Sequence, residues 1–492
     1  MDDAPVHARV LVASNRGPVS FTLDDDGTTT MRRGGGGLVS GLSAVVGSRG
    51  AGTSEPTGKA DVIWACAALT DADRQAARRA PGGRLDLAGH DTGGAAVRML
   101  DIPPPVFHRA YNAIANSTLW FVHHLLYDTP ITPNFDVGFR REWDSYRAYN
   151  RAFVEALADD AAPGAKVVVQ DYHLTLTPGM LRERRPDLRI AHFSHTPWAP
   201  PDYYRMLPDE YGREVLEGIL GADHAGFLSQ RWADAFVACC ETFLGARTDG
   251  RTVEHRGRRT RIGVHALGID GPALSQRAGQ PDVDGRYAAL REIVGDRRLV
   301  VRIDRTELSK NIVRGLAAYR EMLRTYPEWQ GRVVHLAFAY PSRHDLPEYR
   351  EYTAAVQRIA AEIEDEFGTE DWGPLVLQVN DDYPRSLAAY RLADVLLVNP
   401  IRDGMNLVAK EGPILSERGC ALVLSREAGA AAELGEDAVL VNPYDISGTA
   451  RALHGALRMP AEERLERCRR LAATASALPP QRWFADQLAA LD

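Results

Sequence analysis

Short apolar runs recur along the 492 residues, each closed by turn residues and followed by a longer stretch whose apolar positions return every three or four residues. In the first half the clearest runs are 10–13, 62–65, 167–169 and 190–194. In the second half they are 299–303, 333–339, 375–379, 395–398, 421–424 and 438–441. A continuous apolar run of this length suits a parallel strand covered on both faces. Residues 345–367 and 383–393 carry helical spacing between such runs. Strand–helix alternation sustained through both halves predicts two doubly wound α/β domains, 1–266 and 267–470. The polar stretch 275–284, rich in Gly, Gln and Asp, reads as a surface connection, and the Gly/Ser/Thr/Pro-rich stretch 47–61 as a mobile excursion. Trp483, Phe484, Leu488 and Leu491 predict an amphipathic terminal helix over 471–492, packing back on the first domain. Two facing Rossmann-like domains would gather the carboxyl ends of their strands around one interdomain cleft, where ligands bind.

The chain is too long for one hydrophobic core, which agrees with two domains. Its 58 Lys and Arg against 66 Asp and Glu leave a formal charge of −8. That balance argues against a nucleic-acid partner, though a small cationic pocket would vanish in such a total. The cysteines, Cys66, Cys239, Cys240, Cys420 and Cys468, form no CxxC pair and read as buried free thiols in a reducing compartment. The start, Met1-Asp2-Asp3, has no basic export-type segment. No stretch approaches the roughly 20 apolar residues of a membrane span. The expectation is a cytoplasmic protein without a membrane partner.

Candidate chemistry sits just past the predicted strands. Arg305-Thr306-Glu307-Leu308-Ser309-Lys310 follows the run 299–303, and its two cations could neutralise a departing diphosphate, as a divalent metal does elsewhere. Past 395–398 come Arg402, Asp403, Gly404, Met405, Asn406, Leu407, Val408, Ala409, Lys410 and Glu411. A turn glycine leading into a helix offers backbone N–H groups to phosphate or sugar oxygens. Asp403 suits sugar hydroxyls, and Glu411, expected about two turns into the helix, suits a ribose. The glycine run 34–37 lets a backbone approach a phosphate but matches neither GxGxxG nor a triphosphate-binding loop. Asp171-Tyr172-His173 and His195 each follow a strand, where they could bind sugar hydroxyls and handle an acceptor proton. No third ligand stands at metal-site spacing, so no metal is expected. Arg16 and Arg343 would clamp a phosphomonoester if they met, and Tyr111 and Trp120 read as site or core aromatics. The adjacent pair His123-His124 reads as structural or surface.

Taken together, these segments resemble the trehalose-6-phosphate synthase family, glycosyltransferase family 20. The resemblance runs from Ser14-Asn15-Arg16 and Gly36-Gly37-Leu38 through Asp171-Tyr172-His173, His195-Thr196-Pro197-Trp198, Arg305 with Lys310, and Arg402 to Glu411, to Val441-Asn442-Pro443-Tyr444-Asp445. It implies the GT-B fold, with an acceptor domain first and a nucleotide-sugar domain second. It implies metal-independent transfer of glucose, with retention, from a nucleotide-glucose to glucose 6-phosphate, without a cofactor. By position, Arg305 and Lys310 would hold the donor diphosphate and Glu411 the ribose. Asp403 and the backbone of Gly404, Met405, Asn406 and Leu407, leading to Val408, would hold the transferred glucose and its phosphate. Gly36 and Gly37 would close over the diphosphate, and His195 would contact the glucose. Arg16, Tyr111, Trp120 and Arg343 would hold glucose 6-phosphate, with Asp171 near its reacting end. Glu307-Leu308 and Asn311 stand where many relatives have Asp-Tyr and Gly, Gln170 precedes Asp171, and Ala266 replaces a common proline. The wording of the Arg/Lys loop resembles actinobacterial members, which leans the donor towards GDP-glucose over UDP-glucose. A pseudo-glycosyltransferase joining cyclitol units on the same fold, and a non-catalytic sugar-phosphate sensor, are the rival readings. The expected partners are small-molecule substrates alone, with a homo-oligomer left open.

Overall fold

The computed structural model describes residues 7–23, 29–33, 62–87, 92, 95–343 and 345–492. They fall into two compact units, Met1–Leu267 with Pro480–Asp492, and Gly268–Pro479. The expected excursion over 47–61 and the glycine run 34–37 lie outside the described residues.

The first unit contains β1 (Ala8–Ser14), β2 (Val19–Leu23), β3 (Thr29–Arg33), β4 (Val62–Ala67), β5 (Ala96–Leu100), β6 (Ala161–Gln170), β7 (Arg189–Ser194), β8 (His224–Phe227), β9 (Arg247–Thr248), β10 (Thr252–His255) and β11 (Arg258–Val264). Nine of these form one sheet in the order β5-β4-β1-β6-β7-β8-β11-β10-β9, and β2 and β3 pair as a separate antiparallel ribbon. Pairing is parallel from β5 to β11 and antiparallel from β11 through β10 to β9. The second unit contains β12 (Arg298–Arg305), β13 (Val333–Tyr340), β14 (Leu375–Gln378), β15 (Val395–Val398), β16 (Ala421–Ser425) and β17 (Val439–Val441), all parallel in the order β14-β13-β12-β15-β16-β17. The apolar runs of the central strands are buried on both faces, as parallel strands between helical layers must be: Leu11, Val167, Val169, Leu299, Val301 and Leu396 have no exposure.

Helices cover the sheets for reasons local to their sequences. The long helix Val137–Asp160 starts where the Asp136 carboxylate accepts from the N–H groups of Gly138 and Phe139. It buries Phe139, Trp143, Tyr146, Asn150, Phe153 and Leu157, whose three- and four-residue spacings keep them on one side. Each sheet also has one place where the strand order reverses. The chain runs outward from β1 through β4 to β5, then returns to β6 on the other side of β1. It does the same in the second unit, from β12 out to β14 and back to β15. The crevice at the carboxyl ends of such a strand pair is open to a ligand because the two following connections diverge to opposite faces.

Three expectations require correction. The stretch 275–284 is not an open connection but lies in the helices Gly271–Ala278 and Pro281–Val294. Asp270 caps the first through Ala273 N–H (3.0 Å), Pro281 fits the first turn of the second, and Arg277 pairs with Asp282 at 2.6 Å across the break. The predicted terminal helix over 471–492 is two pieces. Residues 471–476 finish the helix Ala461–Ser476, whereas Pro480–Ala489 is a separate helix belonging to the first unit. The Pro479-Pro480 pair explains the break, since neither nitrogen can continue a helical ladder. Glu411 is not two turns into its helix; the helix is Val408–Leu415, which puts Glu411 in the first turn. All five cysteines are buried and free. His123 and His124 are buried and structural: His124 Nδ1 bonds the Trp120 carbonyl (2.9 Å), and His123 Nδ1 accepts from Ala199 N–H (3.3 Å). Among the described residues no helix is long and apolar enough to cross a membrane.

Candidate active site

In the second unit the reversal between β12 and β15 brings the two main candidate segments together. Arg305 ends β12, and the chain then makes a tight turn, Leu308–Lys310, before the helix Ile312–Thr325. Residues 402–407 follow β15 and run into the helix Val408–Leu415. The segments are tied by Ile401 N–H donating to Ser309 O (2.8 Å) and by the Lys310 ammonium on Asp403 Oδ2 (2.6 Å). Burial works against the Lys310 charge, but Asp403, Asp304 and Glu307 outweigh it and hold the ammonium above its ordinary pKa. Lys310 is therefore a fixed cation. Asn311, in the left-handed region at φ 58°, donates to the carbonyls of Asn399 and Pro443 (3.0 and 2.8 Å). Asparagine tolerates that conformation better than other side chains do.

Asp403 organises its own turn. Its carboxylate accepts from Asn406 Nδ2 (3.1 Å), and Asn406 at φ 76° turns its side-chain oxygen towards Ala409 N–H (3.3 Å) at the helix start. Behind the turn, Gly429 N–H donates to Asp403 O (3.0 Å) and Ala430 N–H to Met405 O (2.8 Å). A Cβ on Gly429 would run into the Gly404 carbonyl, so this close backbone approach requires glycine. Lys410 is buried and paired with Glu433, which fixes the helix against the segment Ala431–Leu434. Glu411 is half-buried and accepts from Tyr390 Oη (3.0 Å); burial raises its carboxyl to about 7, and the tyrosine works against that rise. Gly404, Met405, Asn406, Leu407 and Val408 thus form one turn at a helix start, with cations on one side and a carboxylate beyond. Such a site can hold a diphosphate, sugar hydroxyls and a ribose.

The first unit uses its own reversal, between β1 and β6, in the same way. Ser14 and Asn15 are buried and anchored, Ser14 by Trp64 Nε1 (2.7 Å) and Asn15 by Tyr149 Oη (2.6 Å), and they leave Arg16 exposed beyond them. Asp171 follows β6 at φ 72° and ψ 175°, a conformation that is nearly glycine's alone. It is held there by its N–H on Phe193 O (2.7 Å) and by His195 N–H on its carboxylate (3.1 Å). His195 Nε2 donates to the Gln170 side-chain oxygen (2.8 Å), and Gln170 in turn donates to Gln487 (3.2 Å) on the returning helix. Burial and the neighbouring His192 push the His195 imidazole down to about 3, so it is neutral. Gln170, which the sequence marks only as a departure, is the residue that orients His195. Tyr111 stacks between Phe107 and His173 (ring centroids 5.1 and 5.6 Å), and Trp120 lies against His124 and Tyr172 (3.9 and 5.5 Å).

The structure therefore gathers Asp171, His195, Tyr111, Trp120 and Arg16 in the first unit and Arg305, Lys310, Asp403–Val408 residues and Glu411 in the second. Gly36 and Gly37 lie outside the described residues. Arg343 stands in the second unit, after β13, at φ 49°, with its guanidinium on Tyr349 Oη (2.6 Å). Between Arg343 and Arg305 lies Glu307, fully buried, which the sequence marks only as a departure beside the Arg/Lys pair. Among the described residues, six non-glycine residues take left-handed φ, and four of them, Asp171, Asn311, Arg343 and Asn406, lie in these clusters. Strain concentrated in this way is a mark of a site whose geometry is imposed.

The model of glycosyltransferase family 20 matches residues 8–492. The chain is 38% identical over 395 residues to a trehalose-6-phosphate synthase of Mycobacterium avium, covering 77% of this chain and 78% of that one. It is 33% identical over 481 residues to a bifunctional trehalose-6-phosphate synthase/phosphatase of Thermoproteus tenax, where 97% of this chain spans 62% of that protein's length. Among solved structures, an α,α-trehalose-phosphate synthase (UDP-forming) of Burkholderia vietnamiensis superposes with a TM-score of 0.82 at 30% identity, over 98% of this chain and 99% of that one. The fold is GT-B, and the chain belongs to glycosyltransferase family 20.

Proposed function

We propose that this protein transfers glucose from a nucleotide-glucose to glucose 6-phosphate, with retention at the anomeric carbon and without a metal, giving α,α-trehalose 6-phosphate. The observation that carries the reading is the convergence, at the strand-order reversal of the second unit, of Arg305, Lys310 and the turn from Asp403 into the helix Val408–Leu415. In this reading Arg305 and Lys310 take the charge that grows on the departing diphosphate. One preorganised donor of this kind is worth about 3–4 kcal/mol. Asp403 and the backbone that follows orient the transferred glucose, and Glu411 receives ribose hydroxyls. The acceptor hydroxyl attacks from the side the nucleotide leaves, its proton passing to the departing phosphate oxygen. Neutral His195 contacts the glucose, and Asp171 stands by the reacting end of the acceptor. Arg16, Tyr111, Trp120 and Arg343 hold glucose 6-phosphate. Small-molecule substrates and buried free thiols suit work in the cytoplasm.

The test is release of nucleoside diphosphate with glucose 6-phosphate present, run in parallel on UDP-glucose, GDP-glucose and ADP-glucose. Turnover with GDP-glucose or UDP-glucose, and formation of a non-reducing disaccharide phosphate, is expected; the Arg/Lys loop favours GDP-glucose. The named relative from Burkholderia is UDP-forming, which keeps UDP-glucose in the comparison. Turnover of none of the three sinks the reading. Lys310→Ala should lose turnover far more than glucose 6-phosphate affinity, and equal loss of both counts against the role assigned to Lys310.

A further inference from the structure

Glu307 has no exposed surface, yet it sits among groups that the proposed reaction uses. Its Oε1 forms an ion pair with Arg305 Nη1 (2.8 Å) and accepts from Ser342 Oγ (3.0 Å). Its Oε2 is buried without a hydrogen bond among the described residues, and Arg343 Nη1 lies 4.0 Å from it. The backbone ties the same groups together. Glu307 N–H donates to Arg305 O (2.7 Å), Lys310 N–H donates to Glu307 O (3.0 Å), and Thr306 N–H donates to Tyr340 O (2.6 Å), so the loops after β12 and β13 converge on one carboxylate. Burial alone would lift that carboxyl, but Arg305, Arg343 and Lys310 bring it down to about 2.

We propose that Glu307 is a positioning residue shared by both substrate sites, its single carboxylate setting the Arg305 guanidinium for the nucleotide diphosphate and the Arg343 guanidinium for the sugar phosphate. This rests on the reading above that those two arginines bind those two phosphates. The geometry supports it through Arg305. One nitrogen of that guanidinium, Nη1, is ion-paired with the fixed Glu307 carboxylate, while its side chain is still 54% exposed. A guanidinium anchored at one nitrogen keeps its other N–H groups free for an incoming phosphate. Arg343 is held differently, by Tyr349 Oη and at a left-handed backbone position, with the open Oε2 as the anion it faces.

Charge and position make opposite predictions, which gives the test its edge. Glu307→Gln adds one positive charge to the site, so a carboxylate that merely neutralises cations predicts tighter binding of both anions. A carboxylate that positions them predicts weaker binding of both. The measurement is calorimetric titration of the full chain with GDP and UDP, and separately with glucose 6-phosphate. The expected result for Glu307→Gln is a rise of about tenfold in both dissociation constants, with Glu307→Asp, which keeps the charge but shortens the reach, about threefold. In the Glu307→Gln background, Arg343→Ala should cost less glucose 6-phosphate affinity than in the parent, because its guanidinium is already misplaced. Arg16→Ala should cost the same in both backgrounds, an asymmetry that a general loss of folding does not produce. Tighter or unchanged binding in Glu307→Gln, loss at only one site, or equal shrinkage of the Arg16 and Arg343 effects overturns the proposal. If Glu307→Gln fails to fold, Glu307→Asp carries the test, and unchanged constants there overturn it. Should Arg305→Ala leave nucleotide binding intact and Arg343→Ala leave glucose 6-phosphate binding intact, the assignment of the two arginines falls instead.

Discussion

Glu411 changes charge close to neutral pH. Burial raises its carboxyl to about 7 from an ordinary 4.5, and Tyr390 Oη, its hydrogen-bond donor, only partly offsets that. Between those two values the folded protein holds a proton that the unfolded chain has lost. Stability therefore falls as pH rises through the window, and the full penalty is present above it. For a half-buried side chain the penalty is on the order of 2 kcal/mol. Glu411→Gln should accordingly raise the thermal midpoint at pH 8 and change it little at pH 4.5. If ribose hydroxyls need the charged carboxylate, nucleoside diphosphate affinity should drop as pH falls below about 7 in the parent and lose that dependence in Glu411→Gln. A parent whose affinity is flat from pH 6 to pH 8 would remove Glu411 from the ribose role. At this scale the candidate residues were legible by type and by place after a strand, but their partners were not. Nothing in the spacing of Gln170 and His195, or of Glu307 and Arg343, says that the side chains meet, because each pair is joined through adjacent strands rather than along the chain.

At the scale of elements, the turn from Asp403 to Leu407 depends on what lies behind it. Gly429 packs so closely on the Gly404 carbonyl that an added methyl has no space, and the contact is backbone, which cannot rotate away. Gly429→Ala should push the turn outward at a cost of about 1–3 kcal/mol of stability. Nucleoside diphosphate binding should weaken by tenfold or so while glucose 6-phosphate binding is kept. Retained nucleotide affinity would show that the turn tolerates displacement and is not the phosphate cradle. The doubly covered strands were readable in sequence because burial on both faces leaves an unbroken apolar run, as in β12, β13, β15 and β16. The strands β5 and β11 were not. The segment Arg258–Val264 reads RRTRIGV and Ala96–Leu100 reads AVRML, half-solvated patterns that a polar loop shares. Residues 275–284 failed in the opposite direction: their composition suits a connection, whereas a capping Asp270, Pro281 in a first turn and the Arg277–Asp282 pair make them helical. Composition weighs residues without position, and helix ends are decided by position.

For the whole molecule, the informative feature is that the chain returns to its first unit at the end. The helix Pro480–Ala489 buries Trp483, Phe484 and Leu488 there. Lys166 donates to Leu488 O (3.0 Å) and pairs with Asp492, and Arg189 donates to Leu491 O (2.8 Å). The same helix supports the candidate site, since the Trp483 ring lies 5.4 Å from that of His195 and Gln487 receives the hydrogen bond that orients Gln170. Trp483→Ala should therefore destabilise the first unit by about 3–5 kcal/mol, the usual cost of emptying a buried aromatic site. The second unit, to which the helix does not belong, should keep its own stability. Calorimetry read against nucleoside diphosphate addition separates the two, because the ligand of the second unit should shift only the transition of that unit. The variant Gln487→Leu removes the polar link without emptying the space. It should leave the first transition nearly in place and lower turnover by freeing the Gln170–His195 pair. A variant with full turnover would mean that Gln170 holds His195 without help from the returning helix. Full loss of both transitions in Trp483→Ala would mean that the two units do not unfold separately and that the returning helix stabilises the molecule as one piece.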